Sequence, residues 1–464
     1  MIKKIYLFLI TILSALGIYF GFNSTIIPNV VLYIIIAFEL INLLLTFIFI
    51  NTKKKILIGI AIFLSIIIIV VNIALFFVYK RTNTFFDKIT NIEYEKSNYA
   101  IIALKDSKVE KISDLTSIAT YTNELDKNYS LALEELNSKV EVEVKEYKTV
   151  IDLITDLFNN KIDAILVNEN YIEIIEETND EFKDKIKIID TLSIETIKEK
   201  KAIEEEIKKL GNFNVYISGI DTYGEISTVS RSDVNILASV DMKNHKILLT
   251  NTPRDYYVQL HGTTGSKDKL THAGVYGIDM SMATIADLYE TDINYYVRVN
   301  FNSLITLVDA IGGVDVYSDM EFGSGYNHVN YGMNHFDGKQ ALYYSRQRKI
   351  YMEGDRHRGQ NQQQVIEAII KKVTASNDIN TYLKLLSTLE NSIQTNIDKK
   401  MINFIINLQV SNNYSWQIES IQANGYDSSN YTYSYPGQLL YVMEPDYNSL
   451  NSAKEKINAY LKSE

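Results

Sequence analysis

The sequence predicts an α/β body carried on three membrane-spanning helices, and three observations predict it. Residues 5–79 are almost wholly apolar, in three runs. From residue 82 onward, short apolar runs rich in Val and Ile alternate with segments of helical period. A charged stretch at 194–210 divides that part into a smaller and a larger unit. Alternation of strand and helix implies sheets covered by helices on both faces. A chain of 464 residues is also too long for one ordinary domain.

The apolar runs are Ile5–Phe22, Ile26–Ile50 and Ile56–Tyr79. A spanning helix needs about 20 apolar residues, so residues 1–81 form three transmembrane helices. A signal-peptide reading of the first run is set aside, because two further spans follow and no cleavage site of small residues is convincing. Lys3 and Lys4 precede the first span, and Lys53, Lys54 and Lys55 separate the second from the third. Positive loops stay in the cytoplasm, so everything after Tyr79 is expected outside the cell, with Lys80 and Arg81 opposing weakly. Glu39, inside a span, is a functional candidate by default. The plainer reading, a residue facing the helix bundle or an oligomer contact, is preferred. A homo-oligomer through the spans stays open.

Charge and cysteine content exclude several function classes. Residues 1–81 hold seven basic residues against Glu39, a balance of +6, so a net charge of −11 leaves −17 on the remainder. An acidic body argues against nucleic acid as a partner. There is no cysteine, which removes disulfides, thiol nucleophiles and Cys-based zinc sites.

Residues 82–193 read as a small α/β accessory domain. The expected elements are a strand at Tyr99–Leu104, a helix start at Ser113-Asp114-Leu115, a strand at Val140–Val144 and a helix at Val150–Phe158. Strands at Ile162–Val167 and Ile186–Ile189 complete it. The order loosely resembles one lobe of an extracellular solute-binding protein, and a spacer role is at least as good a reading. Residues 194–211 are expected to be a charged helical linker.

The larger unit runs over 212–375. Strands are expected at Asn214–Gly219, Val234–Val240, Lys246–Thr250, Tyr295–Val299 and Val314–Tyr317. Helices are expected at Thr271–Tyr289, Ser303–Ala310, Gly338–Tyr344 and Arg356–Val373, with a turn at Gly312-Gly313. Residues 376–464, with a helix or two and a Tyr-rich end, are expected to complete this domain.

Between Asp221 and Gln363, charged residues gather at strand ends, where open α/β sheets put their ligands. Asp221 ends the first strand, Arg231 and Asp233 flank the second, and Arg254 and Asp255 follow the third. Lys269 precedes a helix, Arg346 and Arg348 form an Arg-x-Arg, and Asp355, Arg358, Asn361, Gln362 and Gln363 follow. Arg presents a planar fork of donors that suits phosphate oxygens and stays charged. Five arginines in one acidic domain would repel one another unless an anion lay between them. Aspartates beside them suit a divalent cation such as Mg2+ (or Mn2+), which takes oxygen ligands and substrate phosphates. The competing reading, surface salt bridges, is credible for any one pair and less so for the set. GTTGSK at Gly262–Lys267 is too short between its glycines for a P-loop, no histidine spacing fits HExxH, and no GxSxG is present.

GID at 219–221, RSD at 231–233, TPRD at 252–255, KLTHA at 269–273, DAIGGVDV at 309–316, YSRQR at 344–348 and GDRHRGQNQQ at 354–363 occur in that order. Together they resemble the LytR-CpsA-Psr (LCP) family, and three spans with an added extracellular domain look like its capsule-type, CpsA-like subgroup. The resemblance implies an α/β/α sandwich with an apolar cavity for a polyprenyl chain. It implies a phosphotransferase that moves a capsular or secondary wall polysaccharide, or a teichoic acid, from a polyprenyl pyrophosphate carrier to peptidoglycan through a phosphodiester link. It implies that Asp221 and Asp233 face Mg2+, and that Arg231, Arg254, Arg346, Arg348 and Arg358 hold the pyrophosphate with Lys269 and Gln363 assisting. The family varies between Arg and Asn where this chain has Asn361. A sugar hydroxyl would attack the sugar-side phosphorus, with Asp221 and Asp233 competing as base. The apolar faces of Thr271–Tyr289 and Val365–Val373 are expected to line the lipid cavity. A hydrolase acting on the same lipid pyrophosphate, and a non-enzymatic membrane sensor, are the rival readings. The first uses the same residues. The second lacks a cytoplasmic signalling domain.

Overall fold

The structure is a computed structural model that describes residues 2–24, 27, 29–90, 94–197, 211–220, 225–347, 350, 355–376, 379–388, 392–397, 399–412 and 414–462. The three apolar runs form α1 (Ile2–Asn23), α2 (Asn29–Ile50) and α3 (Lys55–Thr90), each long and apolar enough to cross a membrane. They pack side by side. Lys3 donates from Nζ to the Ile50 carbonyl at 2.6 Å, which holds the two positive segments at the same end of the bundle. Glu39 is buried and accepts a 2.9 Å hydrogen bond from Asn72 of α3, so it faces the bundle.

The accessory domain comprises β1 (Tyr94–Leu104), β2 (Ser117–Thr120), α4 (Tyr129–Lys139), β3 (Glu143–Glu146), α5 (Val150–Phe158), β4 (Ile165–Asn168), α6 (Asn170–Glu176), α7 (Phe182–Lys185) and β5 (Ile186–Ile197). The sheet order is β3-β2-β4-β1-β5, with β2 parallel to β3 and β4 and with β1 antiparallel to both neighbours. Ile102, Ile165 and Val167 pack towards α5 and α6, while Ile101, Ile118 and Leu166 pack towards α4. Burial on both faces explains why β4 reads as an unbroken apolar run. Four expectations change. Residues 82–90 continue α3 instead of opening this domain, and the strand expected at Val140–Val144 runs over Glu143–Glu146 because Val140 caps α4. The helix start at Ser113 is a single 3-10 turn, Ile112–Asp114, before the chain enters β2. Residues 194–197 are the end of β5, paired with Tyr94–Ser97, and not the start of a helical linker. Residues 198–210 of that expected helix lie outside the described residues.

The larger domain opens with β6 (Phe213–Ile220), β7 (Ser232–Asp241), β8 (Lys246–Asn251) and the short pair β9 (Tyr257–Val258) and β10 (Asp268–Lys269). Then come α8 (Leu270–Ala273), α9 (Ile278–Tyr289), β11 (Tyr295–Val299), α10 (Phe301–Ala310), β12 (Val314–Ser318), β13 (Gly332–Phe336), α11 (Gly338–Ser345) and α12 (Asp355–Thr374). The chain closes with α13 (Ile379–Thr388), β14 (Ile393–Thr395), α14 (Lys399–Asn412), β15 (Gln417–Gln422), β16 (Gly425–Tyr431), β17 (Leu439–Pro445) and α15 (Tyr447–Leu461). A six-stranded mixed sheet, β14-β11-β6-β7-β8-β15, lies at the centre. Tyr216, Leu237 and Leu248 point from it towards α9 and α15, and Val215, Ile236 and Leu249 towards α12 and α14. The result is the expected three-layer sandwich. The described residues of 376–464 give three helices and four strands, more than expected, and place β14 on β11 and β15 on β8 at the two sheet edges.

The expected single helix Thr271–Tyr289 is broken. Gly277 sits at φ +100°, a backbone state that favours glycine, and separates a 3-10 turn after α8 from α9. The buried side of α9, Ile278 and Ile285, packs with Tyr216 and Leu237 in the core. Gly312 and Gly313, at φ +75° and +83°, form the expected turn into β12.

The two domains share one core. Val275, Tyr435 and Leu440 of the larger domain pack with Tyr171 and Ile175 of the smaller one. Asn123 donates from Nδ2 to the Tyr276 hydroxyl at 2.9 Å, and Val229 N–H donates to the Lys96 carbonyl at 2.9 Å.

Candidate functional site

The site begins at an irregularity in the β6–β7 ladder. Gly219 pairs with Val234, but the next residue, Ile220, pairs with Ser232, so Asp233 is an extra residue on β7. A bulge of this kind bends the strand and re-aims the extra side chain. The Asp233 carboxylate meets Arg254, from the turn after β8, whose Nη1 donates to Oδ1 and Oδ2 at 3.2 and 3.1 Å. Thr271, at the start of α8, donates its hydroxyl to Oδ1 at 3.1 Å. Arg254 Nε lies 3.5 Å from Asp255, and Asp255 lies 3.0 Å from Lys269 Nζ. Asp233, Asp255 and Lys269 are all buried.

Burial pushes the Asp233 carboxyl up, but Arg254, Arg358 and Arg231 outweigh it and hold the group far below the usual carboxylate range. Asp255 is likewise lowered, burial being overcome by Arg254, Lys269 and Arg358. Folded values below unfolded ones stabilise the protein above the unfolded carboxylate value, about 3.9, and that stability is lost as pH falls through the folded value. The unfolding midpoint of the full chain, read from Trp416 fluorescence, is therefore expected to drop steeply below about pH 4 and to be insensitive to these two groups near neutrality. Asp233→Asn should flatten the acid slope. An unchanged slope would remove the assigned charge network.

Beside this polar cluster lies a cavity of about 120 Å³. Its polar end carries Asp233, Arg346 and Arg358, and its apolar wall carries Val299, Phe301, Leu304, Leu342, Val365 and Ile366. Arg346 lies over the Phe301 ring, Cζ 4.3 Å from the centroid. The walls thus come from β6, β7, β11, α10, α11 and α12. Of the two helices expected to line an apolar cavity, α12 contributes Val365 and Ile366, whereas the stretch Thr271–Tyr289 turns into the core on the other side of the sheet.

The sequence-predicted residues divide accordingly. Asp233, Arg254, Lys269, Arg231 and Arg358 come together, and Arg346 joins Arg358 at the cavity. Gln363 does not: its Nε2 donates to the carbonyls of Leu249 and Ile421 at 2.7 and 2.9 Å, tying α12 to β8 and β15, and its neighbour Gln362 lines the cavity instead. His272 is fully buried and bonded to Asp268, a structural role. Asp221 and Arg348 lie outside the described residues, as do the side chain of Asp355 and the YSRQR-to-GDRHRG junction at 351–354. Thr271, Glu173 and Glu177 are the contacts that motif reading missed. Glu173 and Glu177 come from the accessory domain, and no local signal marks them.

Among the described residues, no group of three or more His, Asp or Glu side chains is placed to hold a metal ion. Both Asp233 oxygens face Arg254, with Arg231 and Arg358 near.

The LytR_cpsA_psr family model matches residues 173–451. The chain is 35% identical over 196 residues to the polyisoprenyl-teichoic acid–peptidoglycan teichoic acid transferase TagU of Bacillus anthracis, covering 42% of this chain and 64% of that relative. It is 34% identical over 206 residues to the protein of the same name from Enterococcus faecalis, covering 44% and 67%. The Bacillus anthracis relative is thus matched over a little under two thirds of its length. Among solved structures, TagV of B. subtilis aligns with a TM-score of 0.48 and 27% identity, over 55% of this chain and 99% of that one. The family match spans more than half of the chain and contains Asp233, Arg254, Lys269, Arg346 and Arg358. The protein belongs to the LytR_cpsA_psr family.

Proposed function

We propose that the protein is a multi-pass membrane enzyme whose site faces outside the cell and transfers a glycopolymer from polyprenyl pyrophosphate to peptidoglycan. The observation that carries this reading is the juxtaposition of Arg254, Arg231, Lys269 and Arg358 with an apolar cavity that shares Asp233 with them. A lipid pyrophosphate is an anion joined to an apolar chain, and this arrangement matches both parts. The names of the curated relatives, which specify a polyisoprenyl-linked teichoic acid, support the substrate class. The polymer proposed for this chain is a teichoic acid or a capsular polysaccharide.

In the proposed reaction a hydroxyl oxygen of a peptidoglycan sugar attacks the sugar-side phosphorus. The bond from that phosphorus to the bridging oxygen breaks, polyprenyl phosphate leaves, and the hydroxyl proton passes to a base. Arg231, Arg254, Arg346 and Arg358 would stabilise charge on the transferring and leaving oxygens, with Lys269 as a point charge. Asp233, held ionised by its arginines, is a weak base and serves to aim Arg254. That leaves Asp221 as the stronger candidate base. Mg2+ (or Mn2+) is proposed from the motif positions of Asp221 and Asp233, and Arg348 is proposed as a further pyrophosphate ligand from its motif alone.

Full-length protein in detergent, given a polyprenyl-pyrophosphate-linked glycan and peptidoglycan, is expected to yield glycan joined to the wall. Release of free phosphorylated glycan only would replace transfer by hydrolysis. The same assay in EDTA, with and without restored Mg2+, decides the cation.

A further inference from the structure

Glu173 and Glu177 belong to the smaller domain, yet they close on cations of the larger one. Glu177 Oε1 accepts from Arg231 Nη1 at 3.3 Å, and its Oε2 lies 2.5 Å from Lys269 Nζ. Glu173 Oε2 lies 2.5 Å from Arg231 Nη2. Two oxygens of one group spanning an arginine and a lysine is how a phosphoryl group would be held by the same pair.

Charge decides what this contact means. Among the described residues, Arg231, Arg254, Lys269 and Arg358 face Asp233, Asp255, Glu173 and Glu177, with Arg346 beside Arg358, so the protein's own carboxylates already offset most of the positive charge. A pyrophosphate entering this largely neutralised cluster meets the repulsion of those carboxylates unless one leaves. Asp233 and Asp255 have side chains only 6% exposed, whereas those of Glu177 and Glu173 are 22% and 47% exposed. Lys269, at 3%, is buried beneath them. The helix behind the glutamates is fixed, since Tyr171, Ile172, Ile174 and Ile175 of α6 are buried. The side chains can swing while α6 stays.

We infer that Glu177, backed by Glu173, occupies the seat of the donor's pyrophosphate and is displaced when the donor binds, which makes the accessory domain a determinant of donor affinity. This rests on the donor-site reading above. The test uses the full chain in detergent, titrated calorimetrically with inorganic pyrophosphate. Glu177→Gln keeps volume and hydrogen bonding but loses the charge. It is expected to bind pyrophosphate roughly tenfold tighter than the wild type, and Glu173→Gln with Glu177→Gln tighter still. In turnover the donor KM should fall with kcat unchanged, a signature that a purely structural residue would not give. Equal or weaker pyrophosphate binding by both variants overturns the inference and leaves the donor site standing. No binding by any of the three proteins, wild type included, overturns both.

Discussion

Arg254→Ala is expected to lower kcat/KM for glycan transfer by roughly a thousandfold, the cost of removing one charged donor from a phosphoryl or acyl transition state. Arg254 is the centre of the cluster, touching Asp233 through both oxygens and lying 3.5 Å from Asp255. Its loss therefore has a second effect, because two buried carboxylates lose a partner. Breaking a buried pair costs about 3–5 kcal/mol, although Thr271, Arg358 and Arg231 remain near Asp233 and will moderate it. Arg254→Lys separates the two effects. It restores most of the charge balance and so most of the unfolding midpoint, but a point charge does not reproduce a guanidinium fork. Transfer should stay at least about a hundredfold down in the lysine variant. Arg254→Ala with more than a tenth of wild-type transfer, measured as polymer joined to peptidoglycan, would sink the assignment.

The reach of sequence reasoning follows from what each element buries. Val150–Phe158 and Tyr295–Val299 have the boundaries expected of them because their apolar periods begin and end at turns. β15, reading Gln-Ile-Glu-Ser-Ile-Gln, was invisible: it is a half-exposed edge strand whose partners in β8, such as Lys246 for Gln417, are far away in the chain. The break at Gly277 was equally hidden, since apolar spacing continues through it and only the backbone sign betrays it. At the site, Asp233, Arg254 and Lys269 could be read because charged residues stood beside strand ends in an otherwise apolar context. Gln362 and Gln363 could not be told apart, as neighbours on a helix point about 100° apart and the boundary of α12 fixes which faces the cavity. Glu177 looked like any solvated glutamate in an acidic helix. Only tertiary packing brings it to Lys269.

The second large effect concerns the lipid. A cavity of about 120 Å³ is small for a polyprenyl chain, so the proposed donor would need it to widen. α10 and α12 are the elements that would part. α10 contacts α13, and α13 and β14 in turn pack against α3, so this wall adjoins an apolar helix long enough to span a membrane. Leu304→Trp would fill the space from the α10 side. Overpacking there costs about 1–3 kcal/mol, tolerable for a partly buried position. The expected result is loss of more than about tenfold in transfer from a long-chain donor, with affinity for inorganic pyrophosphate changed less than about twofold. A donor with a shortened prenyl chain should be spared, because binding energy from the remote tail would then contribute little in the wild type either. Equal losses with long and short chains would mean that the cavity does not hold the tail. The apolar wall of Phe301, Leu304 and Val365 would then be ordinary core.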